Sequence, residues 1–346
     1  MPRDIALPEI DVLVPVAPKD TRNVAACIGH LLRHSRNPIR AIHLVAPASL
    51  PANVPTPAAL SRDIPIVWID EAALEPSRAQ VEAALAEAGC RHENASWYFQ
   101  QLTKLSCFRA VPRANRHLLV LDADYTFVAD IEFVNASGQS LLPMGYPLHW
   151  NLETRDHVVP EEHTALASAA RLVPGWATVD AYSGMQHHMV FDRTIVDELI
   201  RRVERHHGLP FWKAFLATAD ASKWTGASEY VLYRHFAAAA FPERVVSRHV
   251  GAIDVIQSAK TAAFDLADVL AAPRRHGVQA VGCHSFLDYE QRLATMDYIP
   301  ESLRSRLVAS SRPLMLDLDD GRLRIESAIT PLSLWGAQPD GHVSLG

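Results

Sequence analysis

Cysteine is scarce in this 346-residue chain, and the four present (Cys27, Cys90, Cys107 and Cys283) are scattered with no CxxC pair. That excludes a disulfide-stapled scaffold and predicts reduced core thiols in a cytoplasmic protein. Long apolar runs are also missing. None approaches the ~20 residues of a membrane span, so no transmembrane segment is expected. The first 20 residues carry Asp4, Glu9, Asp11 and Asp20, which argues against a secretory signal peptide. Positive charge is not in excess: Lys+Arg 33 against Asp+Glu 39 leaves a formal charge of −6, which disfavours a bulk nucleic-acid binder. Lysine is rarer still, with five in the whole chain, the rest of the positive charge being arginine. There is no internal repeat and no low-complexity tract. What remains is 49% hydrophobic and 21% charged, a globular composition long enough for one large domain or two ordinary ones.

Strand and helix signals alternate through the first third. Residues 11–16 form a short apolar run ending in a Pro/Lys/Asp loop and read as a buried strand. Asp20 then caps a helix with Val24, Ile28 and Leu31 at helical spacing, stopped by Asn37-Pro38. Strands follow at 41–46 and 64–69, helices at 76–89 and, capped by Ser96, at 97–109, and a strand at 117–121. This order predicts an α/β fold with a mainly parallel sheet flanked by helices. Ligands of such sheets bind outside the carboxyl ends of the strands, so the loops after Val16 and Leu121 are the informative ones. A strand is expected at 185–191, helices at 194–206 and 228–240, and a terminal β-hairpin turning at Asp320-Gly321. We divide the chain loosely at residue 135, into 1–135 and 136–346, as two halves of one compact unit.

The sharpest motif is Leu118-Leu-Val-Leu-Asp-Ala-Asp-Tyr-Thr126. Asp122 and Asp124 leave the carboxyl end of a buried strand two residues apart, and strand alternation sends both carboxylates to one side. Two carboxylates held close together repel unless a cation or a proton neutralises them. Mg²⁺ and Mn²⁺ prefer oxygen ligands and bridge diphosphates, so either ion is a natural solution.

Two enzyme classes carry this arrangement. A hydrophobic strand followed by Asp-x-Asp resembles the metal site of the GT-A glycosyltransferases. Asp-x-Asp-x-Thr equally resembles the first motif of the haloacid-dehalogenase-like phosphatases, which would make Asp122 a nucleophile. Context favours the first, because about 120 residues of βαβ pattern precede the motif, as in the nucleotide-binding half of a GT-A domain. A non-catalytic nucleotide- or carbohydrate-binding protein is the more distant alternative. Together with the segments below, the chain is similar over residues 10 to 290 to a bacterial glycosyltransferase-like family of uncharacterised members.

That resemblance implies a GT-A-like sheet with a C-terminal acceptor-side half, a nucleotide-diphosphate sugar as donor, Mn²⁺ or Mg²⁺ as cofactor and an acceptor that no motif identifies. Val16, Lys19 and Asp20 would line the nucleotide pocket. Asp124 would hold the metal, with Asp122 on the ribose or the metal. At helical spacing Trp97, Gln101 and Lys104 share one face, which presents an indole, an amide and a cation for a phosphate or a sugar. In Tyr182-Ser-Gly184 and His187-His188 we expect an acceptor-side strand that sends one imidazole to the cleft, with His188 favoured. Trp150, Trp176 and Tyr182 offer flat faces to a sugar ring. Ser228 caps a helix whose first residue, Glu229, matches the place of the catalytic base of inverting GT-A enzymes. His284 matches their late metal-ligating His, with His249 as its competitor.

Overall fold

The computed structural model describes residues 6–21, 24–50, 64–88, 95–145, 148, 164–220, 226–250, 252–256, 279–284, 314–317 and 322–325. The chain begins with strand β1 (Ile10–Pro15), helix α1 (Val24–His34), strands β2 (Ile39–Ala46) and β3 (Ile66–Asp70) and helix α2 (Arg78–Glu87). Next come α3 (Ala95–Leu105), the single turn α4 (Cys107–Ala110), β4 (His117–Leu121), β5 (Tyr125–Phe127), β6 (Ser140–Pro143) and α5 (Thr164–Leu172). Strand β7 (His188–Asp192) then leads into α6 (Arg193–His207), α7 (Phe211–Thr218) and α8 (Glu229–Ala240). Strands β8 (Val245–Arg248), β9 (Ala252–Ile256), β10 (Ala280–His284), β11 (Leu314–Asp317) and β12 (Arg322–Ile325) complete the described elements.

The central sheet has the order β3-β2-β1-β4-β7. Its first four strands are parallel, and β7 runs antiparallel to β4, pairing His188 with Leu121. Every residue of β4 is buried, as a strand covered on both faces requires. The period of two divides β1 between the two sides. Leu13 packs with α2, α3 and the α6–α8 layer, whereas Val12 and Val14 pack with α1, Tyr125, Phe127 and Phe133. The mainly parallel, helix-flanked α/β architecture is therefore as expected. A second sheet, β12-β11-β9-β10-β5, hangs off the turn after β4 by the antiparallel pairing of β5 with β10. Strands β11 and β12 pair antiparallel, which a hairpin requires, while Asp320-Gly321 lies outside the described residues.

Local signals set most helix ends. Ser77 and Gln80 close a capping box at α2, Asp192 caps α6 by accepting from Thr194 N–H, and Gly208 ends α6 at φ +63°. Ser228 caps α8 by accepting from Val231 N–H. Two expected caps differ. Asp20 closes a 3₁₀ turn (Pro18–Asp20) instead of opening α1, and Ser96 already lies inside α3, where its hydroxyl accepts from Arg78. The strand expected from residue 185 starts only at His188, because Gly184 and His187 both take positive φ (+76° and +56°). No helix among the described residues is long and apolar enough to cross a membrane.

Candidate active site

Strand order reverses between β1 and β4. The chain winds outward from β1 through β2 to β3, then returns to place β4 on the other side of β1. At this switch point the carboxyl ends open a cleft of about 550 Å³. The loop after β1 lines it with Val16 and Asp20, helix α3 with Trp97, Gln100 and Thr103, the loop after β4 with Asp122 and Asp124, and the approach to β7 with His187. The two aspartates converge through a turn and not through strand alternation: β4 stops at Leu121, and Tyr125 N–H closes the turn on Asp122 O at 3.1 Å. Asp122 N–H donates to His187 O at 2.9 Å, which ties this turn to the start of β7.

Asp122 is held from both oxygens. Lys104 Nζ lies 2.6 Å from Oδ1, Gln100 Nε2 donates to the same oxygen at 3.3 Å, and His187 Nδ1 lies 3.1 Å from Oδ2. Burial alone would raise this carboxyl, but the Lys104 charge and the His187 hydrogen bond outweigh it and hold it well below the usual carboxylate range. Lys104 is buried and donates also to Glu229 Oε1 at 2.8 Å and to Tyr230 Oη at 3.0 Å. Burial would lower the ammonium, yet Asp122 and Glu229 keep it raised well above its ordinary value. An ammonium between two carboxylates stays charged.

This geometry redistributes the roles read from sequence. The cleft face of α3 is Trp97, Gln100 and Thr103; Gln101 and Lys104 turn the other way, towards α8. Gln101 Oε1 accepts from Glu229 N–H at 3.0 Å and both residues are buried, so Gln101 braces the start of α8 and is not among the cleft-lining residues. Glu229 is 3% exposed and paired with Lys104 at 2.8 Å, and it is not among the residues that line the cleft. Of the histidine pair, His187 and not His188 faces the cleft. His188 is fully buried, bonded to Gln186 O at 2.9 Å and stacked on Tyr125, and burial pushes its imidazole down to about 3.

Val16, Asp20, Trp97, Asp122, Asp124 and His187 are thus brought together. Lys19 belongs to the same loop, but its side chain is not among those described. Tyr182 and Gly184 sit apart from the cleft lining. Arg234, fully buried, pairs with Asp180 at 2.6 Å and donates to Tyr182 O at 3.0 Å, and Gly184 is a glycine because a Cβ there would stand 2.5 Å from Arg234 Cδ. Tyr182 packs edge-on against His249. Trp176 donates to Leu232 O and packs on His235, so it is structural; Trp150 lies outside the described residues. His284 ends β10 opposite Ile256, with its side chain outside those described. Gln100, Thr103, Arg78 and Glu71 line the cleft without having been assigned to it from sequence; for Gln100 and Thr103 the signal was the i, i+3, i+6 spacing from Trp97. The indole Nε1 of Trp97 is buried without a hydrogen-bond partner among the described residues, an unmet donor on a cleft-lining side chain.

A divalent ion has no pre-formed cage here: among the described residues no cluster of three or more His, Cys, Asp or Glu is placed to hold one. Mg²⁺ and similar ions, however, usually take one or two carboxylates and complete their shell with water and substrate phosphates. Asp124, with a carboxylate in the cleft wall, fits that looser requirement.

No curated protein matches the chain. Among solved structures it is similar to the apo form of mouse xyloside xylosyltransferase 1, with a TM-score of 0.41 and 11% identity over 79% of this chain and 97% of that one. The model of a family of unknown function, DUF6492, matches residues 27–270, and the chain belongs to that family.

Proposed function

We propose that the chain is a GT-A-type glycosyltransferase that moves a sugar from a nucleotide-diphosphate donor to an acceptor hydroxyl. The observation that carries this reading is the cleft of about 550 Å³ at the β1/β4 switch point, which joins apolar walls at Val16 and Pro18 to the carboxylates of Asp122 and Asp124. Apolar walls suit a base and ribose, and carboxylates suit a diphosphate bridged by a cation. Residues 1–135 would form the nucleotide half and 136–346 the acceptor half. Asp124 would hold Mn²⁺ or Mg²⁺, and the bound ion would offset charge developing on the leaving diphosphate.

The chain's own groups divide the remaining work. Asp122, kept ionised, accepts a hydrogen bond from a donor hydroxyl. Trp97 contributes the α3 wall, and Asp20 the wall from the loop after β1. His187, bonded to Asp122 Oδ2 and lining the cleft, would face the acceptor. Glu229 is spent on Lys104, which removes it as a base for the acceptor and favours transfer with retention. The phosphatase alternative needs a free nucleophilic oxygen on Asp122, and both of its oxygens already carry hydrogen bonds.

A thermal-shift titration of UDP, GDP, CDP and dTDP, each with and without Mn²⁺, tests this on wild type and Asp124→Ala. A ligand at a hundred times its dissociation constant stabilises by about 2.7 kcal/mol, a shift of a few degrees at this chain length. One nucleotide should stabilise the wild type only with Mn²⁺, and the variant should not respond. Silence towards all four sinks the proposal. Binding without sugar transfer to any acceptor would leave a nucleotide-binding protein.

A further inference from the structure

An ion pair with no part in the chemistry above stands at the β3 side of the cleft. Glu71 and Arg78 both line it, beside Val45, Pro47 and Ser96. Local caps fix their backbones: Asp70 accepts from Ala72 N–H in the turn after β3, and Ser77 and Gln80 close the capping box that starts α2 at Arg78. Arg78 Nε and Nη2 donate to the two carboxylate oxygens of Glu71 at 2.9 and 3.1 Å, and Nη1 donates to Ser96 Oγ at 3.0 Å. The guanidinium carbon lies 4.7 Å from the centre of the Phe99 ring. The group is thus held in place and in plane, yet the side chain is 33% exposed. Of the five N–H groups of a guanidinium, three are used among the described residues, which leaves one on each terminal nitrogen.

Strand order decides which part of a nucleotide meets this fork. Glu71 follows β3, whereas the Asp122–Asp124 turn follows β4, and β2 and β1 lie between them. Three strand spacings amount to about 14 Å. A diphosphate held at the Asp122–Asp124 turn ends short of that distance, and the base lies beyond the ribose. We propose that Arg78, oriented by Glu71, reads the base of the nucleotide and selects one that presents two neighbouring acceptors: guanine through O6 and N7, or cytosine through O2 and N3. A guanidinium fork pairs bidentately with that pattern. Uracil and thymine place an N–H between their carbonyls, and adenine sets an amino group beside N7, so each leaves one prong unmet. The inference rests on the nucleotide-dependent reading of the cleft given above.

Calorimetric titration of the full-length chain with GDP, CDP, UDP, dTDP and ADP, each with Mn²⁺, measures the dissociation constants. Wild type should bind GDP or CDP roughly five- to a hundredfold more tightly than UDP, dTDP and ADP, the range that one bidentate base contact supplies. The comparison of GDP with CDP tells which of the two bases the cleft takes. Arg78→Lys keeps the charge and removes the fork, so the preference should fall towards one. Arg78→Met removes both and should do the same. Because Arg78 also ties α2 to α3 through Ser96, thermal midpoints are recorded beside the affinities. An arginine that only ties the helices would lower the midpoint on substitution and leave the preference intact, which overturns the proposal. Equal binding of all five, or a wild-type preference for UDP, dTDP or ADP, overturns it too, while the nucleotide reading stands. Failure of wild type to bind any of the five removes the nucleotide reading itself, and base selection with it.

Discussion

Lys104 and Glu229 lie 125 residues apart in the chain and meet at 2.8 Å with both side chains buried. Their contact fastens the end of α3 to the start of α8, and through Asp122 it also fastens the carboxyl end of β4. One ammonium thus joins three separate stretches of sequence at the rim of the cleft.

Removing that ammonium should be expensive. Breaking one side of a buried ion pair typically costs ~3–5 kcal/mol, because the partner is left charged and desolvated. Lys104→Met is expected to lower the denaturation midpoint in urea by that order. Lys104→Met/Glu229→Gln should recover a good part of the loss. Equal losses in the single and double variants would show that Glu229 is not the partner that matters.

A second expectation concerns chemistry at Glu229. A general base contributes typically 10²–10⁴-fold to rate, so its amide replacement is crippling. As an anchor, Glu229→Gln keeps a hydrogen-bond acceptor for Lys104 and should lower kcat by less than about tenfold, with no new pH dependence. A loss of a thousandfold at unchanged fold would restore Glu229 as the base and inversion as the outcome.

Acid should loosen the fold in a defined window. Burial holds His188 down at about 3 and His117 and His235 at about 4, so all three are neutral in the folded state. The unfolded imidazole titrates at about 6.5 and the folded one lower, so protons favour the unfolded chain as pH falls through 6.5. Stability should be flat above pH 7 and fall steadily between pH 6.5 and about 4, by up to about 1.4 kcal/mol per pH unit for each such histidine. Asp122, Asp180 and Asp192, whose carboxyls are held low by Lys104 and by arginines, add their own loss only below the ordinary carboxylate range. Urea titrations at pH 7, 6 and 5 measure the first window. His235→Phe should flatten the slope there, and an unchanged slope would contradict the burial argument.

Gly184→Ala tests the packing of the turn that precedes β7. The added methyl meets Arg234 Cδ at 2.5 Å, and the backbone sits at φ +76°. We expect a loss of roughly 1–3 kcal/mol from strain together with a displaced Arg234–Asp180 pair. Arg234→Ala, which removes Cγ and Cδ, should relieve the clash and make the two substitutions non-additive.

Much of this architecture was legible in the residues. The run Leu118–Leu121 ending in Asp122 marks a strand buried on both faces, and the alternation before it fixes the parallel sheet and hence the place of the cleft. Which residues face that cleft was harder to read. On α3, positions 97-101-104 and 97-100-103 differ by about one residue of rotation, and both stripes carry polar groups. The choice is made by Glu229, which draws Gln101 and Lys104 towards α8 from far along the chain. For His187 and His188, alternation only sends the rings to opposite faces and does not say which meets the cleft; the expected His188 is buried, and positive φ at Gly184 and His187 delays the strand to residue 188. Local pattern carries secondary structure, whereas the facing of a polar side chain is settled by a partner that local pattern does not contain.

Arginine supplies nearly all positive charge in this chain, yet position 104 is lysine. A guanidinium is flat and forks its N–H groups within one plane, whereas an ammonium projects three N–H bonds as a tripod. Asp122, Glu229 and Tyr230 each take one leg of it. The compositional drift towards arginine meets a stereochemical veto at this one point, so a change to arginine there should be tolerated less well than at any surface lysine.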